Sequence, residues 1–389
     1  MLETLRRVPT KKPPSPRRAA RSLPNKPWAM LAYIGGDNNL SDNGIEDISE
    51  MCEEGSDRTL HVGIEIDTYG EHTGSVRYEI SEPDPTGVAH RIVIERLPER
   101  NTGDPRTLTA FLDWGLERYK ASNRLLVVWN HGSGFRAPKR DIAFDDFGSA
   151  LDMPEVELAL SRSGIGRGKP FGRMRIMGFD ACLMCMLEIA HHFKDQTEYL
   201  VGSQQVEPGD GWPYDRVVAR LKGRPSAQNL AKAIVQEYIK SYRTSGEQNV
   251  TQSAVDTAKT VPAVLALNDL GVALNAVLLE HRSDIAKARG RAQAFEYADY
   301  VDLIHLAELL SNSLGDRKVK SAANRVIYTT QAAIVANATY GKVVKDANGL
   351  SVWFPATRDL YAQNRAKYLG LHCNEVRKDW VGFLDAYFG

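Results

Sequence analysis

Leu125-Leu126-Val127-Val128-Trp129-Asn130-His131-Gly132-Ser133-Gly134 is the stretch on which the reading of this chain turns. Five apolar residues with two valines at their centre make a short strand buried on both faces, and the Asn, Gly and Ser residues that follow end it in a turn. Met174 to Phe179 has the same form and runs into Asp180-Ala181-Cys182. Outward from these two, Ala29 to Ile34, Leu60 to Ile66 and Tyr199 to Ser203 are further runs of the same kind, with helical periodicity between them. That alternation predicts an α/β fold with a mostly parallel sheet flanked by helices.

The intervening segments carry their own signals. Arg77 to Ile80 and Arg91 to Leu97, either side of Pro83-Asp84-Pro85, predict a hairpin added to the sheet. Asp104-Pro105 starts a helix whose face is Leu108, Phe111, Leu112, Leu116 and Tyr119, and Asp152-Met153-Pro154-Glu155 reads as a capping box before another. Residues 183–193 read as a helix with Leu183, Met186, Leu187 and Ala190 toward a core, which places Cys185 about one turn inside it. Phe135 to Asp146 is charged, contains Pro138 and reads as an exposed loop. After about residue 256 long helical patterns dominate, as in Val261 to Leu279 and Tyr300 to Leu310, with one late strand-like run at Leu350 to Phe354. The expected division is therefore a basic, disordered tail over 1–26, an α/β core over 27–256 and a mainly helical region over 257–389.

Composition narrows the class. The 389 residues are 43% hydrophobic, enough for a sizeable core, and Lys+Arg and Asp+Glu both total 49, so net charge argues for neither nucleic acid nor a membrane surface. No run approaches the roughly 18 consecutive apolar residues of a membrane span. Cys52, Cys182, Cys185 and Cys373 are too few and too scattered for a disulfide framework. Eight Lys/Arg and one acid fill the first 26 residues without an apolar stretch of signal-peptide type, so a cytoplasmic location is expected.

In a parallel α/β sheet, functional groups collect where strands end at their carboxyl edge. If the strands ending at Asn130 and Asp180 are neighbours, His131 and Cys182 face one another. A thiol needs a nearby imidazole because the thiolate is the nucleophile, and the protonated imidazole then serves the departing amine. Gly132 leaves backbone N–H groups accessible to a developing oxyanion, and the Cys182 N–H is a second candidate donor. Taken singly, His131 reads as a loop histidine bonded to backbone, and Cys182 as a small buried residue at a strand-to-helix junction.

The two strand-end motifs, about fifty residues apart, resemble the clostripain (C11) peptidases of the caspase, gingipain and legumain superfamily. Gly36-Asp37-Asn38-Asn39-Leu40, Glu207-Pro208-Gly209-Asp210-Gly211-Trp212-Pro213-Tyr214 and Gly349-Leu350-Ser351-Val352-Trp353-Phe354-Pro355 resemble the same family, so the likeness spans roughly 28 to 355. The resemblance implies a caspase-like core and a Cys–His dyad of Cys182 and His131 without an obligatory third member. It implies protein or peptide substrates cut after Arg or Lys, with Asp180 and Asp210 at the pocket for the basic side chain. Self-processing between the His and Cys segments is also implied, at Arg136, Lys139 or Arg140, or among Arg162, Arg167, Lys169 and Arg173.

Two other functions compete. Cys182-Leu183-Met184-Cys185 is a C-x-x-C motif after a strand, the place of a thioredoxin-like dithiol. A catalytically silent caspase-like interaction protein is the other. No cofactor or metal is expected: His191-His192 with Asp195 lacks a convergent ligand set, and Asp37, Asn38, Asn39 and Asp42 lack calcium-loop spacing and read as a turn and helix cap.

Overall fold

A computed structural model describes residues 23–69, 74–136, 142–143, 145 and 148–389. Its strands are β1 Leu23–Gly36, β2 Leu60–Thr68, β3 Val76–Ile80, β4 Arg91–Arg96, β5 Tyr119–Trp129, β6 Met174–Asp180, β7 Thr197–Gly202, β8 Val250–Asp256, β9 Tyr300–Asp302, β10 Ile334–Tyr340 and β11 Ser351–Trp353. The α-helices are α1 Ser41–Glu54, α2 Pro105–Arg118, α3 Met153–Arg162, α4 Leu187–His192, α5 Tyr214–Lys222 and α6 Ala227–Ser245. They continue as α7 Thr260–Arg291, α8 Leu303–Ser313, α9 Arg317–Ala333, α10 Arg358–Leu369, α11 Cys373–Val376 and α12 Asp379–Phe388.

Nine strands form one sheet in the order β10-β8-β7-β6-β5-β1-β2-β3-β4. The five central strands, β7-β6-β5-β1-β2, are parallel, and antiparallel strands extend both sides. Chain order reverses between β1 and β5, a switch point whose crevice opens at the carboxyl ends of the strands. Each central strand divides its side chains between two cores: Ala29, Leu31, Tyr33, Leu126 and Val128 enter one, Met30, Ala32, Ile34, Leu125, Val127 and Trp129 the other. This two-sided burial is why the strands read as unbroken apolar runs, each large aliphatic contributing about 1.5–3 kcal/mol.

The capping signals act as expected. Asp104 accepts the Arg106 N–H at 2.8 Å to start α2, and Asp152 and Glu155 exchange both bonds of the capping box at 2.9 and 3.0 Å. Tyr119, expected on the α2 face, instead opens β5, its ring lying over Gly63 of β2, where a Cβ would come within 2.2 Å of it. The segment 183–193 departs further from expectation. Only α4 is helical there, and Ala181 to Met186 is a turn with Leu183 at φ +66°. Tertiary bonds override the helical pattern: Leu183 and Cys185 donate their N–H groups to Gln205 and Ser203 carbonyls, and the Cys185 carbonyl accepts from Ser351.

The region after residue 256 holds more strand than its periodicity implies. β10 extends the main sheet against β8, and the first three residues of the expected helix at Tyr300 pair with β11 before Asp302 caps α8 through His305 N–H at 2.8 Å. Among the described residues, one helical stretch, Thr257–Arg291, is long and apolar enough to cross a membrane by length and composition. Interrupted rather than continuous apolar residues gave it that character, and 56% of its most apolar window is buried within the fold, against α8, α9 and α12 among others.

Candidate active site

β5 and β6 are parallel neighbours with Trp129 opposite Asp180, so both strands end at one level and their following loops share one pocket. His131 and Cys182 line it together. The two loops touch closely: a Cβ on Gly132 would meet the Cys182 carbonyl oxygen at 2.3 Å and its nitrogen at 2.9 Å, so only glycine fits there. Gly134, at φ +71°, leaves room for Tyr300, whose hydroxyl donates to the Ser133 carbonyl at 2.6 Å and accepts the Arg136 N–H at 3.3 Å. The helical region thereby fixes the loop that carries the histidine.

The imidazole is oriented across the switch point. His131 Nε2 lies 2.9 Å from Asn39 Oδ1 in the loop after β1, and with the ring proton on Nε2 that oxygen accepts it and Nδ1 is the nitrogen left to act as base. The same loop is braced by Asn130, whose Nδ2 donates to the Gly35 carbonyl at 2.5 Å and whose Oδ1 accepts the His131 N–H. Asn38 accepts the Leu40 N–H at 2.8 Å, so the Asp37 to Asn39 segment is a turn, while α1 lacks the expected side-chain cap.

The thiol rests against the loop after β7. Glu207 N–H donates to Cys182 Sγ at 3.2 Å. Burial pushes the thiol above its ordinary value and the Asp180 charge adds to this, against the opposing N–H groups of Glu207 and Gly132. Cys182 is therefore a neutral thiol at rest, and a base has to take its proton during attack.

Asp180 forms the floor of the pocket. It is 4% exposed, and Oδ2 accepts from the Tyr214 hydroxyl at 2.7 Å and the Trp212 N–H at 3.2 Å. α4 begins seven residues later with no side-chain cap, which rules out a helix-capping role. The Glu207 carboxyl, not anticipated as a site residue, hydrogen-bonds Asp180, and its Oε1 accepts from Gln252 at 3.4 Å. Burial raises both carboxyls, against the bonds of Asp180 to Glu207, Tyr214 and Trp212, and the Asp180 charge pushes Glu207 further, well above the usual carboxylate range. Glu207 is therefore the member of the pair that holds a proton more strongly. Asp210 is exposed and lines a neighbouring pocket with Glu50 and Tyr242, so the structure does not bring it to Cys182. The only sequence signal for Glu207 was its place at the head of Glu207-Pro208-Gly209-Asp210.

Cys185 is fully buried, its Sγ 3.1 Å from the Gly349 carbonyl, and burial drives its pKa far upward. All four cysteines are free thiols. A buried, high-pKa partner cannot serve as the resolving thiol of a dithiol pair, so the oxidoreductase alternative is dropped. Of the basic residues considered for self-cleavage, Arg136 is engaged: it pairs with Asp299 at 3.2 Å and stacks on Tyr297. Lys139 and Arg140 lie outside the described residues. Arg167 and Lys169 are exposed but precede the amino end of β6. That is the opposite edge of the sheet from Cys182, roughly 20 Å away at about 3.3 Å per strand residue.

Comparison with known proteins agrees with this arrangement. The profile of Peptidase_C11, the clostripain family, matches residues 32–383. Clostripain of Hathewaya histolytica is 24% identical over 406 residues, covering 85% of this chain and 75% of that protein. A secreted C11 cysteine protease of Bacteroides thetaiotaomicron, iotapain, has the same fold with a TM-score of 0.72 at 16% identity, covering 90% of this chain and 100% of its own. An inactive zymogen C11 protease of Parabacteroides distasonis gives 0.71 at 19%, covering 90% and 97%. Secreted enzymes among these neighbours overturn the cytoplasmic expectation, which rested on a basic leading segment whose first 22 residues lie outside the described residues. With the family profile spanning nearly the whole chain and a caspase-like sheet delivering histidine and cysteine to one pocket, the chain belongs to the clostripain family and is a cysteine peptidase.

Proposed function

We propose that Cys182 and His131 are the catalytic dyad of an endopeptidase that cuts after Arg or Lys. The observation that carries this reading is the parallel pairing of β5 and β6, which brings both residues into one pocket above a buried carboxylate. As Cys182 Sγ attacks the scissile carbonyl carbon, His131 Nδ1 takes the thiol proton, and the carbonyl oxygen becomes an oxyanion facing the N–H groups of Gly132 and Cys182. The tetrahedral intermediate collapses to a thioester as the imidazolium gives its proton to the leaving amine. Water, deprotonated by the same imidazole, then releases the acid and restores the thiol. Asn39 positions the ring for each transfer.

Specificity resides in Asp180 and Glu207. A guanidinium or ammonium entering between them meets the Asp180 charge in a dry site, where an opposite charge is worth far more than in water. Asp210 acts, if at all, from the neighbouring pocket. Processing of the enzyme by itself occurs between molecules when the target is the Arg167 to Arg173 stretch, exposed at Arg167 and Lys169, because that stretch and the dyad lie at opposite edges of one sheet. We infer an extracellular site of action, as for the secreted neighbours.

The test is cleavage of an arginyl-amide substrate by single variants. Cys182→Ala and His131→Ala should each abolish turnover, and Cys185→Ala should retain it in whatever protein stays folded. Turnover surviving in Cys182→Ala, or lost equally in a folded Cys185→Ala, would remove the dyad assignment.

A further inference from the structure

At the amino-terminal edge of the sheet, far from the dyad, Glu157 of α3, the last residue of α4, His192, and His372 just before α11 converge. Glu157 Oε2 is 3.3 Å from His192 Nε2 and 3.2 Å from His372 Nε2, and the three ligand atoms all lie within 4.8 Å of one another. We propose that this cluster is a divalent transition-metal site, suited to Zn2+, that pins the C-terminal segment to the α/β core.

Four observations support it. Two imidazoles and one carboxylate are a recurrent protein ligand set for Zn2+. Ligand atoms about 2.0–2.1 Å from a tetrahedral ion stand about 3.3–3.4 Å apart, the spacing already present on two of the three edges. His192 is 1% exposed, so a buried ring nitrogen, Nε2, already points at the carboxylate from 3.3 Å. Gln196 Nε2 donates to the other oxygen, Glu157 Oε1, at 2.9 Å, which aims Oε2 at the two rings as an outer-shell partner does.

Glu157 and His372 are each about a quarter exposed, so an ion enters from solvent and the fourth position is open to water. Loading requires local changes at both rings. The rings, stacked at 4.2 Å between centroids, tilt so that their Nε2 atoms converge, and each binds through an unprotonated Nε2 with its proton on Nδ1. His372 therefore releases the Nε2 proton it shares with Glu157, and His192 gives up the 3.4 Å bond its Nδ1 accepts from the His372 N–H. The sequence reading placed His192 beside His191 and Asp195. In the fold His191 turns to Thr260 at 3.1 Å and Asp195 to Arg167 at 2.8 Å, and the partners of His192 come from 35 residues before and 180 after it.

The experiment uses the full chain carrying Cys182→Ala, so that the dyad thiol offers no competing site. Zn2+ binding is measured by competition with a chromophoric chelator, alongside thermal melts with and without Zn2+. One equivalent should bind and raise Tm, since a ligand that binds only the folded state stabilises it. His372→Ala and Glu157→Gln, both at partly exposed positions, should weaken binding at least about tenfold and abolish the Tm rise. His192→Ala is a third arm, read only if it folds. Absence of stoichiometric binding, or binding and Tm shift unchanged in both His372→Ala and Glu157→Gln, overturns the site.

Discussion

Replacing Asp180 by Asn removes one charge from the floor of the pocket while keeping its shape. Asn retains an oxygen that can accept from Tyr214 and Trp212, and its amide can donate toward Glu207, so the fold should lose no more than about 1.5–3 kcal/mol, the range for hydrogen bonds to a charged group. The substrate loses more. Leaving a buried guanidinium without its counter-charge costs about 3–5 kcal/mol, so kcat/KM for P1 Arg should fall by roughly two to three and a half decades while P1 Gln changes little. Glu207 modifies this in a definite direction. Its pKa is raised by burial and by the Asp180 charge, so Asp180→Asn lowers it, and Glu207 then ionises as pH rises and supplies part of the missing charge. The defect should therefore be deepest at acid pH and shallower at alkaline pH, and Asp180→Asn/Glu207→Gln should show the full defect throughout. The assay is kcat/KM for matched P1 Arg, Lys and Gln peptides across pH, with thermal melts to establish folding. Unchanged Arg-over-Gln discrimination in the folded double variant would refute this account of specificity.

Glu188 is fully buried, accepting the Trp353 N–H at 2.9 Å, and burial raises its pKa to about 7. A carboxyl raised in the folded state favours folding below its unfolded pKa of about 4.3 and loses that contribution as pH rises through 7. The stability of Glu188→Gln relative to the native chain should thus shift in its favour by about 2.5 kcal/mol between pH 5 and pH 8 in denaturant titrations, and no shift would contradict a protonated Glu188. Gly63→Ala forces a Cβ into the Tyr119 ring and should destabilise by about 1–3 kcal/mol, with partial recovery in Gly63→Ala/Tyr119→Leu; a melt unchanged from native would count against that packing. Active enzyme added to Cys182→Ala protein should cut within Arg167 to Arg173 at a rate first order in active enzyme. Fragment masses from a dilution series check this, and a concentration-independent rate in the active enzyme alone would indicate cleavage within one molecule.

The sequence by itself determined the central strands, because parallel strands buried on both faces need unbroken apolar runs, and it determined the helix starts at Asp104 and Asp152, because caps act over three residues. It also marked His131 and Cys182, since both follow directly on such strands. It could not settle residues 181–186, where a helical pattern is overridden by bonds to Ser203, Gln205 and Ser351, partners as far as 166 residues away. Pocket acids were separable only in three dimensions: Glu207 and Asp210 are three residues apart in one loop, and the turn between them sends one carboxyl to Asp180 and the other to a neighbouring pocket. The cluster of Glu157, His192 and His372 shows the same limit, because side chains that meet across a sheet edge share no local periodicity and are brought together only by the packing of the elements that carry them.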